Sequence, residues 1–268
     1  MNLSAGSGVS YSMNQTQANA RSSLLRVRCL RALVVTMALV LMGLVHQRHA
    51  VACVAATVAG FEEIAPGILV DPSLTQAERV TISNELAAAR ARVATLLAEL
   101  RGQPHLIFAA TQEAAGWYAV SANAPAGATT LPWGTYLGFA PGGVNVDVIA
   151  HELVHAELAD RIGYWRYTVD LPVWFNEGVA MQVDHRQEKI WRLVQSGALL
   201  PAVDGIATGR QFFRGDIAAH YAAAQVEVAG WLAAGEPNDL AEFIADFSGN
   251  ASFSELYMRP SAKASGVK

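Results

Sequence analysis

Cysteine is nearly absent: Cys29 and Cys53 are the two thiols in 268 residues, and Cys29 falls within a segment that reads as targeting sequence. No disulfide framework can therefore hold the folded part, whose stability must come from packing. Charge is sparse as well, 16% of residues, with 19 Lys and Arg set against 23 Asp and Glu and no basic run in the body. That balance excludes a phosphate-backbone partner, so no nucleic acid is expected. The apolar stretch Ala32 to Val45 falls short of the roughly 20 residues that an ordinary spanning helix needs and stops at His46-Gln47-Arg48-His49. No internal repeat is visible, and there is no Gly-x-Ser-x-Gly elbow to carry a serine nucleophile.

What is present begins with Arg21, Arg26, Arg28 and Arg31 ahead of that apolar stretch, followed by a weaker one from Ala50 to Gly60. Clustered arginines before a short apolar run are the pattern of a secretory signal peptide, with an uncleaved membrane anchor as the second reading. Cys53 follows Ala50-Val51-Ala52, which admits ordinary cleavage after Ala52 or lipid attachment at the cysteine, and Met13 offers an alternative start. The division expected is a targeting extension over 1–53, one globular domain over 61–257 and a short tail over 258–268. Export, with possible membrane tethering, follows from this division.

Within the domain, Phe61 to Asp71 reads as an extended lead. A helix then starts at Thr75, which has Glu78 at capping-box spacing, with Val80, Leu86, Val93, Leu97 and Leu100 as its apolar side up to Arg101. His105 to Ala110, Trp117 to Val120 and Thr135 to Ala140 read as strands between loops rich in Gly, Ala and Pro. Helices are expected at about 145–162, 171–184, 185–196, 216–234 and 239–247. The fold class implied is α+β: a small sheet first, a helical half afterwards and a cleft between them.

Chemistry concentrates in His151-Glu152-Leu153-Val154-His155. Residues four apart share one helical face, so two imidazoles can point at one metal, while Glu152 is offset beside it, where a carboxylate can act as general base. Asn145 can cap this helix and Asp147 lies in its first turn. A second segment, Asp170-Leu171-Pro172-Val173-Trp174-Phe175-Asn176-Glu177-Gly178-Val179-Ala180, begins another helix, with Asp170 as its cap. Catalytic zinc takes three protein ligands and keeps one position open. Glu177 is the candidate third ligand, and Gly178 beside it permits close backbone approach.

His-Glu-x-x-His followed by Trp-Phe-Asn-Glu-Gly-Val-Ala resembles the gluzincin metallopeptidases, the superfamily of thermolysin and the aminopeptidase-N-like enzymes. The Leu-Pro-x-Trp-Phe-x-Glu-Gly form is most similar to its compact bacterial members, the peptidase MA-like proteins. The likeness is specific at 151–155 and 171–180 and diffuse from about 72 to 257. It implies a thermolysin-like fold, with His151, His155 and Glu177 as zinc ligands and Glu152 as base and proton shuttle. It also implies a strand along the upper edge of the cleft, for which Thr135 to Ala140 is the candidate. Two departures set the chain apart: the spacing from His155 to Glu177 is longer than in either named group, and the Gly-x-Met-Glu-Asn segment with which aminopeptidases grip a free amine is missing. Cleavage inside peptides is therefore expected rather than at their N-termini.

An oxyanion intermediate needs a donor besides the metal. Tyr221 and His220 are adjacent on a late helix, where neighbours diverge by about 100°, so at most one faces the site. Tyr221 shares a stripe with Ala224 and Val228, which makes it the first candidate for the second catalytic group, with His220 the alternative. The expected partner is a peptide or protein substrate. Two other readings use the same residues: a zinc hydrolase acting on a different amide or ester, and a binding domain that keeps the fold without turnover.

Overall fold

The computed structural model describes residues 36–37, 47–56, 58–186, 188–235 and 239–258. Contacts divide the chain into two compact units, Met1–Val51 and Ala52–Lys268. The apolar stretch that carries the signal or anchor expectation lies outside the described residues apart from 36–37, and so does the tail beyond Met258. Among the described residues no helix is long and apolar enough to cross a membrane.

The second unit starts ahead of the expected boundary at 61. Helix α1, Arg48–Ala55, ends with Cys53 buried in a small cluster with Ala56, Leu69, Ile107, Tyr118 and Tyr136. Burial pushes the Cys53 thiol up to about 11, with a hydrogen bond from Thr129 acting the other way. Lipid attachment at this sulfur would require the helix end to leave the sheet.

The expected extended lead is a pair of strands, β1 (Glu62–Ala65) and β2 (Ile68–Val70), turning at Gly67. Helix α2, Gln76–Leu97, opens on the Thr75–Glu78 capping box, both halves of which are formed. Its buried face is Ile82, Leu86, Ala89, Val93 and Leu97. Val80, assigned to that face from the sequence, is 48% exposed, because it precedes Ile82 by two residues and so lies about 160° round the helix from the buried i+3 and i+4 series. The helix stops at Leu97 rather than Arg101, since Ala98 takes a positive φ of 63°.

Strands β3 (His105–Phe108), β4 (Ala126–Leu131) and β5 (Gly134–Phe139) complete one open sheet of order β1-β2-β3-β5-β4. β2, β3 and β5 are parallel, while β1 and β4 run antiparallel at the two edges. The architecture is mixed α and β with a five-stranded open sheet. Trp117 to Val120 is not a strand: Gly116–Tyr118 is a turn of 3-10 helix closed by Ala119 in the left-handed region. The strand missed in its place is β4, whose Ala, Gly and Thr composition gives little apolar signal. It, and not Thr135 to Ala140, forms the edge beside the helices. β5 is buried along nearly its whole length between β3 and β4, as its Tyr-Leu-Gly-Phe run requires, whereas β4 is half-exposed.

Helix α4, Val146–Ile162, packs across β4 and β5 on one side and against α2 on another. The short α3, Gln112–Ala115, precedes the 3-10 turn. After α4 a π-helical turn, Arg166–Asp170, leads to α5, Val173–Ala180. The helices α6 (Glu188–Gln195), α7 (Gly209–Phe212), α8 (Ile217–Ala234), α9 (Asp239–Ser248) and α10 (Phe253–Tyr257) follow. One core joins the sheet face to α2, α4, α5, α8 and α9.

Candidate metal centre

Helix α4 starts where its sequence allows it to. The Asn145 side chain accepts from the Val148 N–H at 3.0 Å, and its amide donates to the Gly142 carbonyl at 3.1 Å. Asp147, in the first turn, meets Arg92 of α2, and Arg92 also donates to the Val183 carbonyl at 3.0 Å. At the other end, Glu157 is almost fully buried and accepts from the backbone N–H groups of Arg101 and Gly102 at 3.0 and 2.8 Å and from Arg161 at 3.1 Å. Both ends of the helix are thus fixed before its middle presents any chemistry.

Helix α5 is anchored differently. Asp170 does not cap it: that residue closes the π turn, and Pro172 occupies the N-cap position without a side-chain bond. Packing holds it instead. Trp174 and Phe175 sit in an aromatic cluster with Trp231, Phe243, Phe253 and Tyr257, with ring centroids 4.9 to 6.1 Å apart. The helix also ends earlier than the expected Asp184. Past Ala180 the chain tightens into turns, which swing Asp184 back beneath α4.

His151, His155 and Glu177 converge, each buried, with ligand atoms within 4.8 Å of one another. Glu177 Oε2 stands 3.3 Å from His151 Nε2 and 3.6 Å from His155 Nε2. The rings lie 4.8 Å apart at 84°. The far nitrogens are oriented separately. His155 Nδ1 is 2.9 Å from Asn176 Oδ1, and the Asn176 amide donates to the Tyr167 hydroxyl at 3.0 Å. His151 Nδ1 lies 3.4 Å from Asp184 Oδ2, and Asp184, fully buried, accepts two bonds from the Arg186 guanidinium at 3.0 and 2.6 Å. Partners of this kind on the outer nitrogens leave both Nε2 lone pairs for a metal.

A proton and a metal compete for these lone pairs, and the charges of the site hold the proton. Burial by itself would lower the His151 pKa, but Asp184 and Glu177 overcome it and hold the imidazole up at about 10. Burial would raise Glu177, yet His155 and His151 bring it below the usual carboxylate range. Asp184 behaves likewise, held well down by His151 and Arg186 against its own burial. Glu177 Oε2 and His151 Nδ1 remain buried without a formed hydrogen bond, although opposite charges face them at 3.3 to 3.6 Å. A carboxylate oxygen left in that condition is costly unless a cation satisfies it. Two imidazoles and a carboxylate match the donor preference of a divalent transition metal. The group could hold a metal ion.

Glu152 is part-exposed at the rim, close enough to add to the potential at His151, Tyr167 and Tyr221. The Tyr221 ring, 6.4 Å from His151, has its hydroxyl beside Glu177, and burial, followed by the charges of Glu177 and Glu152, keeps the phenol protonated. His220 points elsewhere, its Nδ1 2.6 Å from the Phe212 carbonyl. Gly178 brings α8 this close: a Cβ there would come within 2.5 Å of both the Ala224 carbonyl oxygen and the Val228 Cγ2.

Three members of the centre were not singled out from the sequence. Asn176 sits inside the quoted Trp-Phe-Asn-Glu segment, and Tyr167 lies in the connection between the two metal helices, where no spacing rule points to it. Asp184, two turns beyond Glu177 and flanked by Val183 and His185, gave one faint signal, a lone acid at the end of an apolar run. No protein-family model matches the chain, and no curated protein matches it.

Proposed function

We propose that the chain is an exported zinc-dependent peptidase of gluzincin type, with His151, His155 and Glu177 as ligands, Glu152 as general base and Tyr221 as oxyanion donor. The convergence of the three donors around a buried carboxylate oxygen that makes no formed hydrogen bond carries the reading. Bound zinc would supply Lewis acidity, polarising the scissile carbonyl and making a water acidic near neutral pH. Glu152, part-exposed and not among the donors, would accept a proton from the attacking water and return it to the leaving nitrogen. The Tyr221 phenol, protonated throughout the working range, can donate to the oxygen that becomes negative. Asp184 and Asn176 fix the imidazoles, so that little reorganisation accompanies the reaction.

Peptide is favoured over a small ester by β4. It is an edge strand beside α4, and among the described residues its outer edge has no strand partner, which suits an extended main chain laid alongside it. Tyr221 also admits a second role, since its hydroxyl lies against Glu177 and can hold that ligand in place.

Metal analysis of the purified chain, together with cleavage of N-acetylated peptides by wild type and Glu152→Gln, tests the proposal. About one zinc per chain is expected in both, with turnover in the variant down by several orders of magnitude. A metal-free preparation of full activity, or a Glu152→Gln protein of near-normal rate, overturns it.

A further inference from the structure

An open cleft of about 470 Å³ lies further along α4, between that helix, the β4–β5 hairpin and the loop around Gly102. Its helix wall is Ala156, Ala159, Asp160 and Gly163. At about 100° per residue these fall on the same face as Glu152, so the cleft lies along that face of the helix, toward the C-terminus of α4. Three of the four wall residues are Ala or Gly, which leaves the groove unfilled. A Cβ added at Gly163, or at Gly134 opposite, would meet nothing within 4 Å.

The charge in this groove is uneven. Arg101, at its edge, is paired with Glu99 at 2.5 Å, and Glu157 beneath is paired with Arg161. Asp160 is exposed and has no ion-pair partner among the described residues. Aromatic faces flank it: Trp133 at the hairpin tip is 70% exposed, and Tyr164 lines the cleft with Trp165 edge-on to it at 5.0 Å. A free carboxylate beside exposed aromatic rings in a groove of mixed polarity selects a cation with an apolar stem.

We propose that this cleft binds a lysine or arginine side chain of the substrate, with Asp160 as the charge partner and Trp133 and Tyr164 against the stem. The proposal rests on the peptidase reading for the position it assigns. Eight residues of helix put Asp160 about 12 Å beyond Glu152, and an extended peptide advances about 3.3 Å per residue. The basic residue therefore sits three or four positions from the scissile bond.

The test uses the zinc-loaded full chain on a library of N-acetylated peptides, comparing wild type, Asp160→Asn and Asp160→Lys. Wild type should favour Lys or Arg over Glu at one of those positions by about 3- to 10-fold in kcat/KM, Asp160→Asn should flatten the ratio, and Asp160→Lys should invert it. Zinc content is measured in each variant. Equal ratios in all three proteins overturn the proposal and leave the peptidase reading standing. If wild type cleaves no peptide although zinc is bound, the peptidase reading fails, and binding decides the cleft separately. Labelled acetyl-Ala-Ala-Lys-Ala-Ala-amide and its Glu counterpart are then titrated into full-chain Glu152→Gln by fluorescence anisotropy. Tighter binding of the Lys peptide, lost on adding Asp160→Asn, supports the site; equal binding of the two peptides overturns it.

Discussion

Replacing Gly178 by alanine sets two opposed effects against each other at one atom. In a helix interior, alanine is favoured over glycine by about 0.8–1.0 kcal/mol, so an exposed site would gain stability. Here the new Cβ would lie 2.5 Å from the Ala224 carbonyl oxygen and from the Val228 Cγ2, and 3.0 Å from the Ala224 carbonyl carbon. Two of those three atoms are backbone and cannot rotate away, so α5 and α8 must separate by several tenths of an ångström. Overpacking of this kind costs about 1–3 kcal/mol, and the rigid neighbours place this site toward the upper end. The net loss is then about 2 kcal/mol, or a Tm lower by about 4–8 °C in a domain of this size. The same separation draws Tyr221 from Glu177, so metal occupancy should fall as well. The matched control is Gly230, exposed on α8 one turn before its end, where a Cβ meets nothing within 4 Å. Gly230→Ala should raise Tm by about 2–4 °C. Melting curves with and without chelator measure both. A Gly178→Ala protein that melts at or above wild type, with metal retained, refutes the close approach of the two helices.

Asp184→Asn and Asn176→Leu each remove an imidazole's outer partner and should weaken metal affinity about 10- to 100-fold, measured by competition with a chromogenic chelator. Unchanged affinity in both would mean that the imidazoles are held by packing alone. Tyr221→Phe should retain the metal and lose about 10- to 1000-fold in turnover; if the metal is lost instead, the hydroxyl serves Glu177 rather than the oxyanion. Cys53, with its folded pKa pushed above the ordinary value of 9.0 to about 11, contributes stability that is full below pH 9 and declines as pH rises toward 11. Its thiol should resist alkylation at pH 8 until the chain unfolds, as peptide mass analysis would show; rapid labelling of the native protein would place it outside the core.

The two short segments around His151 and Glu177 were legible in the sequence because their information is local. A helix fixes which face residues four apart share, so the two imidazoles and the offset of Glu152 follow from spacing alone. The capping of α2 at Thr75 and of α4 at Asn145 was legible for the same reason, since a cap is settled within one turn of chain. Periodicity likewise gave β3, β5 and the late helices, whose apolar runs are long enough to count. Three kinds of fact were decided only by the tertiary structure. β4 became the edge strand because β5 could be buried on both sides and its Ala-Gly-Ala-Thr-Thr neighbour could not, a comparison between strands rather than a property of either. Helix α5 lost its expected capping residue to a π turn and its last turn to the bend at Met181, because aromatic packing around Trp174 and Phe175 held it without either. Asp184 and Tyr167 joined the candidate metal site across 33 and 12 residues of chain, counted from His151 and His155. A polar side chain that acts through another carries no period of its own; only the folded chain shows which imidazole it will meet.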